Sequence, residues 1–167
     1  MERDRSSVLF LVLVASAAPF VWLTGRFLPE IVASHFATSG LANGFMPRAS
    51  YVRLMLVFAV VLPLAVVFLP RVTFSNPKAR INLPNRDYWL AADRRAGTIE
   101  FLRQHSARLG SMLVIFLCYV HLLVTRANRV VPPNLSSPWL IGGLVVFLVS
   151  VIVWAKVFFG RFRNVPL

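Results

Sequence analysis

Long apolar runs alternate with short polar and charged segments along this chain of 167 residues. Four runs stand out, at residues 8–25, 54–69, 109–125 and 139–159. A helix that crosses the hydrocarbon core of a bilayer needs roughly 17–25 mostly apolar residues, and the runs lie near the short end of that range. The pattern therefore predicts an all-α integral membrane protein with four transmembrane helices, forming a single membrane domain over residues 1–167.

Two prolines fall inside the predicted spans, Pro19 in the first and Pro63 in the second. Proline has no backbone N–H, and its ring clashes with the carbonyl group one turn earlier in a helix. We expect a kink at each position, which neighbouring helices can accommodate within a membrane.

The segment between the second and third runs, residues 71–108, shows a weaker helical pattern. In DYWLAADRRAGTIEFLRQHSARL, apolar side chains such as Ile99, Phe101 and Leu102 fall on one broad face, and Arg103 and Gln104 point elsewhere. This pattern is typical of an amphipathic helix lying at a membrane surface. We expect one interfacial helix here, running into the third span.

A compact polar motif precedes that helix, in the stretch INLPNRDYWLAADRR over residues 81–95. Asn85 is a suitable N-cap, Asp87 would lie in the first turn, and Tyr88 and Trp89 are side chains favoured at membrane interfaces. Anchoring at the membrane accounts for most of this motif, but not for the two asparagines, Asn82 and Asn85, that flank the Leu-Pro pair. If the motif has a further role, Asn82, Asn85 and Tyr88 are the residues to test.

Charge indicates how the chain is oriented. Lysine and arginine total 18 against 6 acidic residues, and the net charge is +12. The N-terminal tail, the 71–108 loop and the C-terminal end together hold thirteen of the basic residues: Arg3, Arg5, Arg71, Lys78, Arg80, Arg86, Arg94, Arg95, Arg103, Arg108, Lys156, Arg161 and Arg163. The opposite side holds five: Arg26, Arg48, Arg53, Arg126 and Arg129. Because basic loops stay in the cytoplasm, both termini and the 71–108 loop are predicted there.

The same basic residues are expected to meet anionic lipid headgroups rather than nucleic acid, since they flank apolar spans.

The outer loop, residues 27–53, carries Glu30, His35, Asn43 and Arg48. A helical turn would bring Glu30 and His35 near each other, and Asn43-Gly44 predicts a tight turn. A structured cap on the bundle is the favoured interpretation, and a site for a ligand or partner at these four residues is the alternative.

Chemistry inside the membrane is limited by the residues available. No acidic or basic residue lies in the core of a span, which argues against an ion-driven pump. Cys118 and His121 share one helix face, so they could begin a metal or haem site, but a histidine hydrogen-bonded to another helix is the favoured interpretation. No phosphate loop or protease signature occurs, so we predict no metal, cofactor or catalytic residue.

Two motifs together resemble a bacterial membrane family, the domain of unknown function sixteen-forty-eight. This domain also forms the N-terminal part of SdpI-type immunity proteins. The first motif matches at Pro29, His35, Gly40, Asn43 and Gly44, with Arg48 as the following basic residue, and the second at Leu83, Pro84, Asn85, Tyr88 and Trp89. The resemblance covers residues 28–89 and implies a multi-pass protein of the bacterial inner membrane. SdpI-type proteins carry a further multi-span domain that does not appear here.

Three functional hypotheses follow. The favoured one is a non-enzymatic binding, immunity or regulatory membrane protein with a peptide or protein partner. The second is a small permease, a lipid-handling protein or an accessory subunit of a membrane complex. The third, ranked lowest, is an enzyme that uses Glu30 and His35 for proton transfer, because no nucleophile, cofactor or metal motif accompanies them. Four spans bury limited surface, so a homo-oligomer is compatible with each hypothesis.

Overall fold

The computed structural model describes residues 5–75 and 81–163, so Arg3, Lys78 and Arg80 of the charge count lie outside the described residues. In chain order the elements are α1 (Arg5–Gly25), β1 (Ile31–Phe36), β2 (Ala42–Pro47), α2 (Arg48–Leu56), a π-helical segment (Val57–Val61), α3 (Leu62–Ser75), α4 (Arg86–Trp89), α5 (Arg95–Ala127) and α6 (Ser137–Arg163).

Four helical stretches are long and apolar enough to cross a membrane, which confirms the four predicted spans. They cover Arg5–Gly25, Arg48–Val72, Arg95–Ala127 and Ser137–Arg163. The third has 33 residues, so at 1.5 Å per residue it is about 50 Å long, well over the roughly 30 Å of the hydrocarbon core. The protein is therefore built as a multi-pass membrane protein in which at least one helix extends beyond the bilayer.

Helix α5 lies at the centre of the bundle and contacts α1, α3 and α6. The face that α1 buries carries Phe10, Val14, Ala17 and Val21, spaced three or four residues apart as on one side of a helix. By contrast, the most apolar stretch of α6 contains no buried residue, so α6 packs on the outside of the bundle. Its apolar surface is then that of a lipid-facing helix.

The second span is one continuous helix with a π-helical segment at Val57–Val61. This segment ends two residues before Pro63, whose side chain is fully buried. The proline lacks an N–H and its ring would collide with the carbonyl group of Ala59 in regular α-helix geometry, so a locally wider turn relieves both problems. The expected disturbance at Pro63 thus takes the form of a π-helical turn.

The all-α prediction was wrong in one region, because part of the outer loop forms an antiparallel β-hairpin. Ile31 pairs with Pro47, Val32 with Met46, and Ala33 with Phe45, and a bulge follows before His35. Val32 is fully buried and Met46 packs against the same core, so one face of the hairpin closes that end of the bundle. The short connection after α5 joins the hairpin there, and we call this region the hairpin end.

The predicted interfacial helix is not a separate element. After the four-residue α4 the chain turns, and α5 then runs without interruption from Arg95 to Ala127. The apolar side chains expected to face lipid pack instead on the C-terminal part of α6: Leu102 clusters with Ile81 and Phe162, and Ile99 and Phe101 lie against that cluster. Period 3.6 identifies an apolar helix face, but it does not say whether lipid or another helix covers that face.

Candidate binding site at the hairpin end

Glu30 and His35 are held apart by β1. Glu30 directly precedes the strand and His35 lies near its other end, and both are exposed. An extended chain advances about 3.4 Å per residue, which separates their α-carbons by up to roughly 17 Å. The expected helical turn was therefore wrong, and the hairpin does not bring this acid and base together.

Asn43 and Gly44 lie within β2 rather than in a turn, so the predicted tight turn was also wrong. The chain reverses at residues 37–41, where the Gly40 N–H donates to the Ala37 carbonyl (2.8 Å) and Gly40 has a φ of +86°. Gly44 pairs with His35, and a β-carbon at position 44 would lie 2.9 Å from the His35 β-carbon. Gly44 is thus needed for close pairing of the two strands. The dipeptide Asn43-Gly44 by itself does not show whether the glycine serves strand pairing or a turn.

Arg48 occupies the junction between the hairpin and α2. Its Nη1 donates to the Leu28 carbonyl (2.9 Å) and to the Arg26 carbonyl (3.3 Å), and its backbone N–H donates to the Glu30 carbonyl (2.8 Å). These bonds fix the orientation of the guanidinium group at the end of α1. Arg48 is therefore brought close to Glu30 through the backbone, while His35 and Asn43 lie at the other end of the hairpin.

Asn128, which the sequence did not single out, fastens the hairpin to α5. Its side-chain oxygen accepts from the Ala33 N–H (2.8 Å), and its Nδ2 donates to the carbonyls of Ala33 (3.0 Å) and Val124 (2.9 Å). The connection between α5 and α6 adds a second attachment, since the Ala42 N–H donates to the Pro133 carbonyl and the Leu135 N–H to the Gly40 carbonyl. This connection thus forms part of the hairpin structure.

We expect Asn128→Asp to destabilise the attachment of the hairpin to α5 without unfolding the helical bundle. The carboxylate keeps an acceptor for the Ala33 N–H but loses both donors and faces two carbonyl oxygens, a loss of about 1–3 kcal/mol. Hydrogen exchange of residues 31–47 should accelerate by an order of magnitude or more, with little change in α1. Asn43→Asp is the matched control, because Asn43 is exposed in the same hairpin. Equal exchange in both variants would show that the Asn128 amide does not hold the hairpin.

The hairpin presents apolar side chains on the face away from the bundle. Residues directly opposite in an antiparallel pair share a face, and successive pairs alternate. Ile31 and Phe45 each neighbour an inward-facing residue, Val32 or Met46, along their strands, and they are 58% and 56% exposed, whereas Ala33, which pairs with Phe45, is buried. A hairpin fastened at several points thus carries an apolar surface next to the polar side chains of His35 and Asn43.

His121 lies inside the bundle at the hairpin end of α5 and is completely buried. The Thr24 hydroxyl donates its single hydrogen to the Phe20 carbonyl (2.6 Å), so His121 Nε2 must be the donor to Thr24 Oγ1 (2.7 Å). The Tyr51 hydroxyl then donates to His121 Nδ1 (3.0 Å). Both ring nitrogens are satisfied by neighbouring helices, which matches the favoured interpretation of this histidine.

Cys118 is half-buried and packs against the core one turn before His121. Within residues 5–75 and 81–163, no group of three histidine, cysteine or acidic side chains is arranged to hold a metal ion. The Cys118 and His121 pair therefore has no third ligand of these types within the described part of the chain.

The polar motif before α5 lies at the opposite end of the bundle. Asn85 occupies the N-cap position of α4, as expected, but it adopts a left-handed conformation (φ +51°) and its side chain forms no cap hydrogen bond. Its Nδ2 donates instead to the carbonyls of Phe162 (2.9 Å) and Arg163 (3.2 Å) at the C-terminal end of α6. Asn85 thus satisfies carbonyl groups that a helix end leaves without partners.

The remaining motif residues are divided between solvent and the α6 end. Asn82 and Asp87 are exposed, and Asp87 lies in the first turn of α4 as expected. The Trp89 ring meets the Phe162 ring edge-on at 5.7 Å, and Arg94 stacks over Tyr88 at 4.0 Å. The motif therefore serves to dock this segment onto α6, a role that its polar composition did not reveal.

The fold and these sites define a multi-pass membrane protein with four candidate spans and a hairpin closing one end of the bundle. No family model, curated protein or solved structure matches the chain. The resemblance to the SdpI-type family therefore stays a prediction.

Proposed function

We propose that the protein is a non-enzymatic binding protein of the bacterial inner membrane, with both termini in the cytoplasm, and that it binds an acidic, amphipathic peptide or protein segment on its outer face. The observation that supports this most is the outward hairpin face. Ile31 and Phe45 are exposed on an element that is fastened at Asn128 and at the connection after α5. Exposed apolar surface outside the lipid-facing helices is typical of an interaction site.

Charge at the hairpin end supports an acidic partner. This end carries five arginines: Arg26, Arg48, Arg53, Arg126 and Arg129. Glu30 is the single acidic residue in the sequence of the hairpin loop and of the connection after α5. Arg126 and Arg129 are exposed beside the hairpin attachment. Complementary charge attracts an acidic partner and orients it, while apolar contacts supply affinity. Immunity to a peptide toxin, by analogy with the SdpI-type proteins that part of the chain resembles, is one function that such binding would serve.

The test uses the purified protein in nanodiscs of zwitterionic lipid and two synthetic peptides with the same apolar residues, one rich in glutamate and one rich in lysine. We expect fluorescence anisotropy to detect binding of the glutamate peptide only. The variants Ile31→Ala and Phe45→Ala should each weaken it about tenfold, equivalent to about 1.4 kcal/mol. Val131→Ala is the control, because Val131 is 97% exposed but belongs to the connection after α5 rather than to the hairpin face.

Equal binding of the two peptides, or equal loss of binding in all three variants, would contradict the proposal.

The orientation of the protein in the membrane is tested separately in intact cells. In a Cys118→Ala background, Asn43→Cys should react with a membrane-impermeant maleimide added outside, whereas Asp87→Cys should react only after the cells are opened. Both positions are exposed at opposite ends of the bundle.

A further inference from the structure

A second surface at the hairpin end is a cleft between the end of α1 and the start of α2. It encloses about 460 Å³ and is lined by Trp22, Gly25 and Arg26 on one side and by Arg48, Val52 and Arg53 on the other. The outward hairpin face contributes no residue to this lining. The cleft is therefore a candidate site distinct from the proposed partner surface.

Three arginines line the cleft. None of Arg26, Arg48 and Arg53 forms an ion pair with a carboxylate among the described residues. Arg48 uses Nη1 for two backbone carbonyls, and Arg53 uses Nε for the Ala49 carbonyl (3.1 Å). A guanidinium group has five N–H donors in a planar fork, so each arginine retains donors for an anion. Such forks match the oxygens of a phosphate group.

The floor of the cleft is apolar. Val52 is buried and packs so closely on α1 that a β-carbon at Gly25 would lie 2.6 Å from Val52 Cγ2. Trp22 flanks the cleft and is 56% exposed on α1, one turn before the helix ends. Tryptophan at the end of a spanning helix is typical of the headgroup level of a bilayer. The cleft therefore combines arginines with an apolar floor, and this combination favours an amphiphilic ligand over a free anion.

We infer that this cleft binds the phosphate group of an anionic phospholipid from the leaflet at the hairpin end. Arg48, whose orientation is fixed by the Arg26 and Leu28 carbonyls, presents a preorganised charge. The exposed side chains of Arg26 and Arg53 close on the phosphate from either side. The glycerol and acyl chains then descend past Trp22 and along the apolar surface of α1 and α2.

The experiment measures binding of phosphatidylglycerol to the detergent-purified full chain by native mass spectrometry. We expect the double variant Arg26→Gln/Arg53→Gln to bind this lipid about tenfold more weakly than the unaltered protein. The double variant Arg126→Gln/Arg129→Gln removes the same charge from exposed positions at the same end and should bind as the unaltered protein does. Trp22→Ala, which leaves every arginine in place, should also weaken binding.

Three results would overturn the inference. Equal loss in the two double variants would show general attraction between charges rather than a site. Displacement of the lipid by inorganic phosphate at matched concentration would identify a free anion as the ligand. Displacement by the glutamate peptide, blocked by Phe45→Ala, would assign the arginines to the partner surface. Thermal unfolding without lipid should be the same for all variants, and the peptide result can fail without affecting the lipid result.

Discussion

His121→Ala is expected to destabilise the bundle by about 3 kcal/mol, whereas the same substitution at His35 leaves its stability nearly unchanged. His121 lies on α5 and is completely buried against α1 and α2, whereas His35 is exposed on the hairpin. Because the two substitutions remove the same atoms, the difference between them measures the surroundings alone.

Packing should account for most of the loss at His121. Interhelical hydrogen bonds within membranes contribute on average about 0.6 kcal/mol each, so the bonds to Thr24 and Tyr51 together supply about 1 kcal/mol. The remainder comes from the cavity left by a ring that packs against Phe20 (5.8 Å, edge-on) and Tyr51 (5.7 Å, stacked). Tyr51→Phe, which removes one hydroxyl and keeps the ring, should therefore cost 1 kcal/mol or less.

Reversible unfolding in mixed micelles, with increasing fractions of denaturing detergent, measures these differences. A Tyr51→Phe variant as unstable as His121→Ala would show that the hydrogen bonds, and not the packing, dominate. A second check is the double variant. Once His121 is alanine, the Tyr51 hydroxyl has lost its acceptor, so adding Tyr51→Phe should cost nothing further or restore some stability.

Gly110→Ala and Gly97→Ala are expected to change stability in opposite directions, although both glycines lie in α5. A β-carbon at position 110 would lie 2.5 Å from Val67 Cγ2 and 2.8 Å from Phe10 Cε2, while at position 97 none of the described residues lies within 4 Å. Val67 and Phe10 are themselves buried and have little room to move. Overpacking of this kind costs about 1–3 kcal/mol.

At Gly97 the same methyl group meets none of the described residues, so the change in stability is expected to follow helical propensity. Alanine is favoured over glycine by about 1 kcal/mol within a helix exposed to water, and Gly97 lies in the first turn of α5, where part of that gain is expected. The unfolding assay described above measures both variants. If Gly110→Ala proved as stable as Gly97→Ala, then α1, α3 and α5 would not meet as closely as this structure has them.

Much of the architecture follows from the sequence, because membrane spans are a local property. About twenty successive apolar residues suffice to identify a helix that satisfies its own backbone hydrogen bonds, which is why all four spans were predicted. The predicted spans were shorter than the helices, since charged ends such as Arg95 and Arg163 continue the helix beyond the apolar stretch. The position of Asp87 in a first turn was likewise a local feature.

The hairpin was missed because its signals are weak and ambiguous. The strands are six residues each, the bulge before His35 interrupts their alternation, and Asn43-Gly44 resembles a turn although it lies in β2. The strands are stabilised by Asn128, which is 95 residues from Ala33 in the sequence. No local pattern contains that partner, so the sequence alone did not indicate the hairpin.

The length and composition of the apolar runs are enough to identify the class of the protein. The sequence also marks the polar residues whose presence a membrane span does not explain, but where these residues lie depends on the tertiary structure. It separated Glu30 from His35 by a strand, directed Asn85 to the end of α6, enclosed His121 between hydroxyl groups, and grouped Arg26, Arg48 and Arg53 around one cleft. Spans are set by each segment's transfer into lipid, whereas these sites arise from contacts between helices far apart in the chain, and so they depend on how the helices pack.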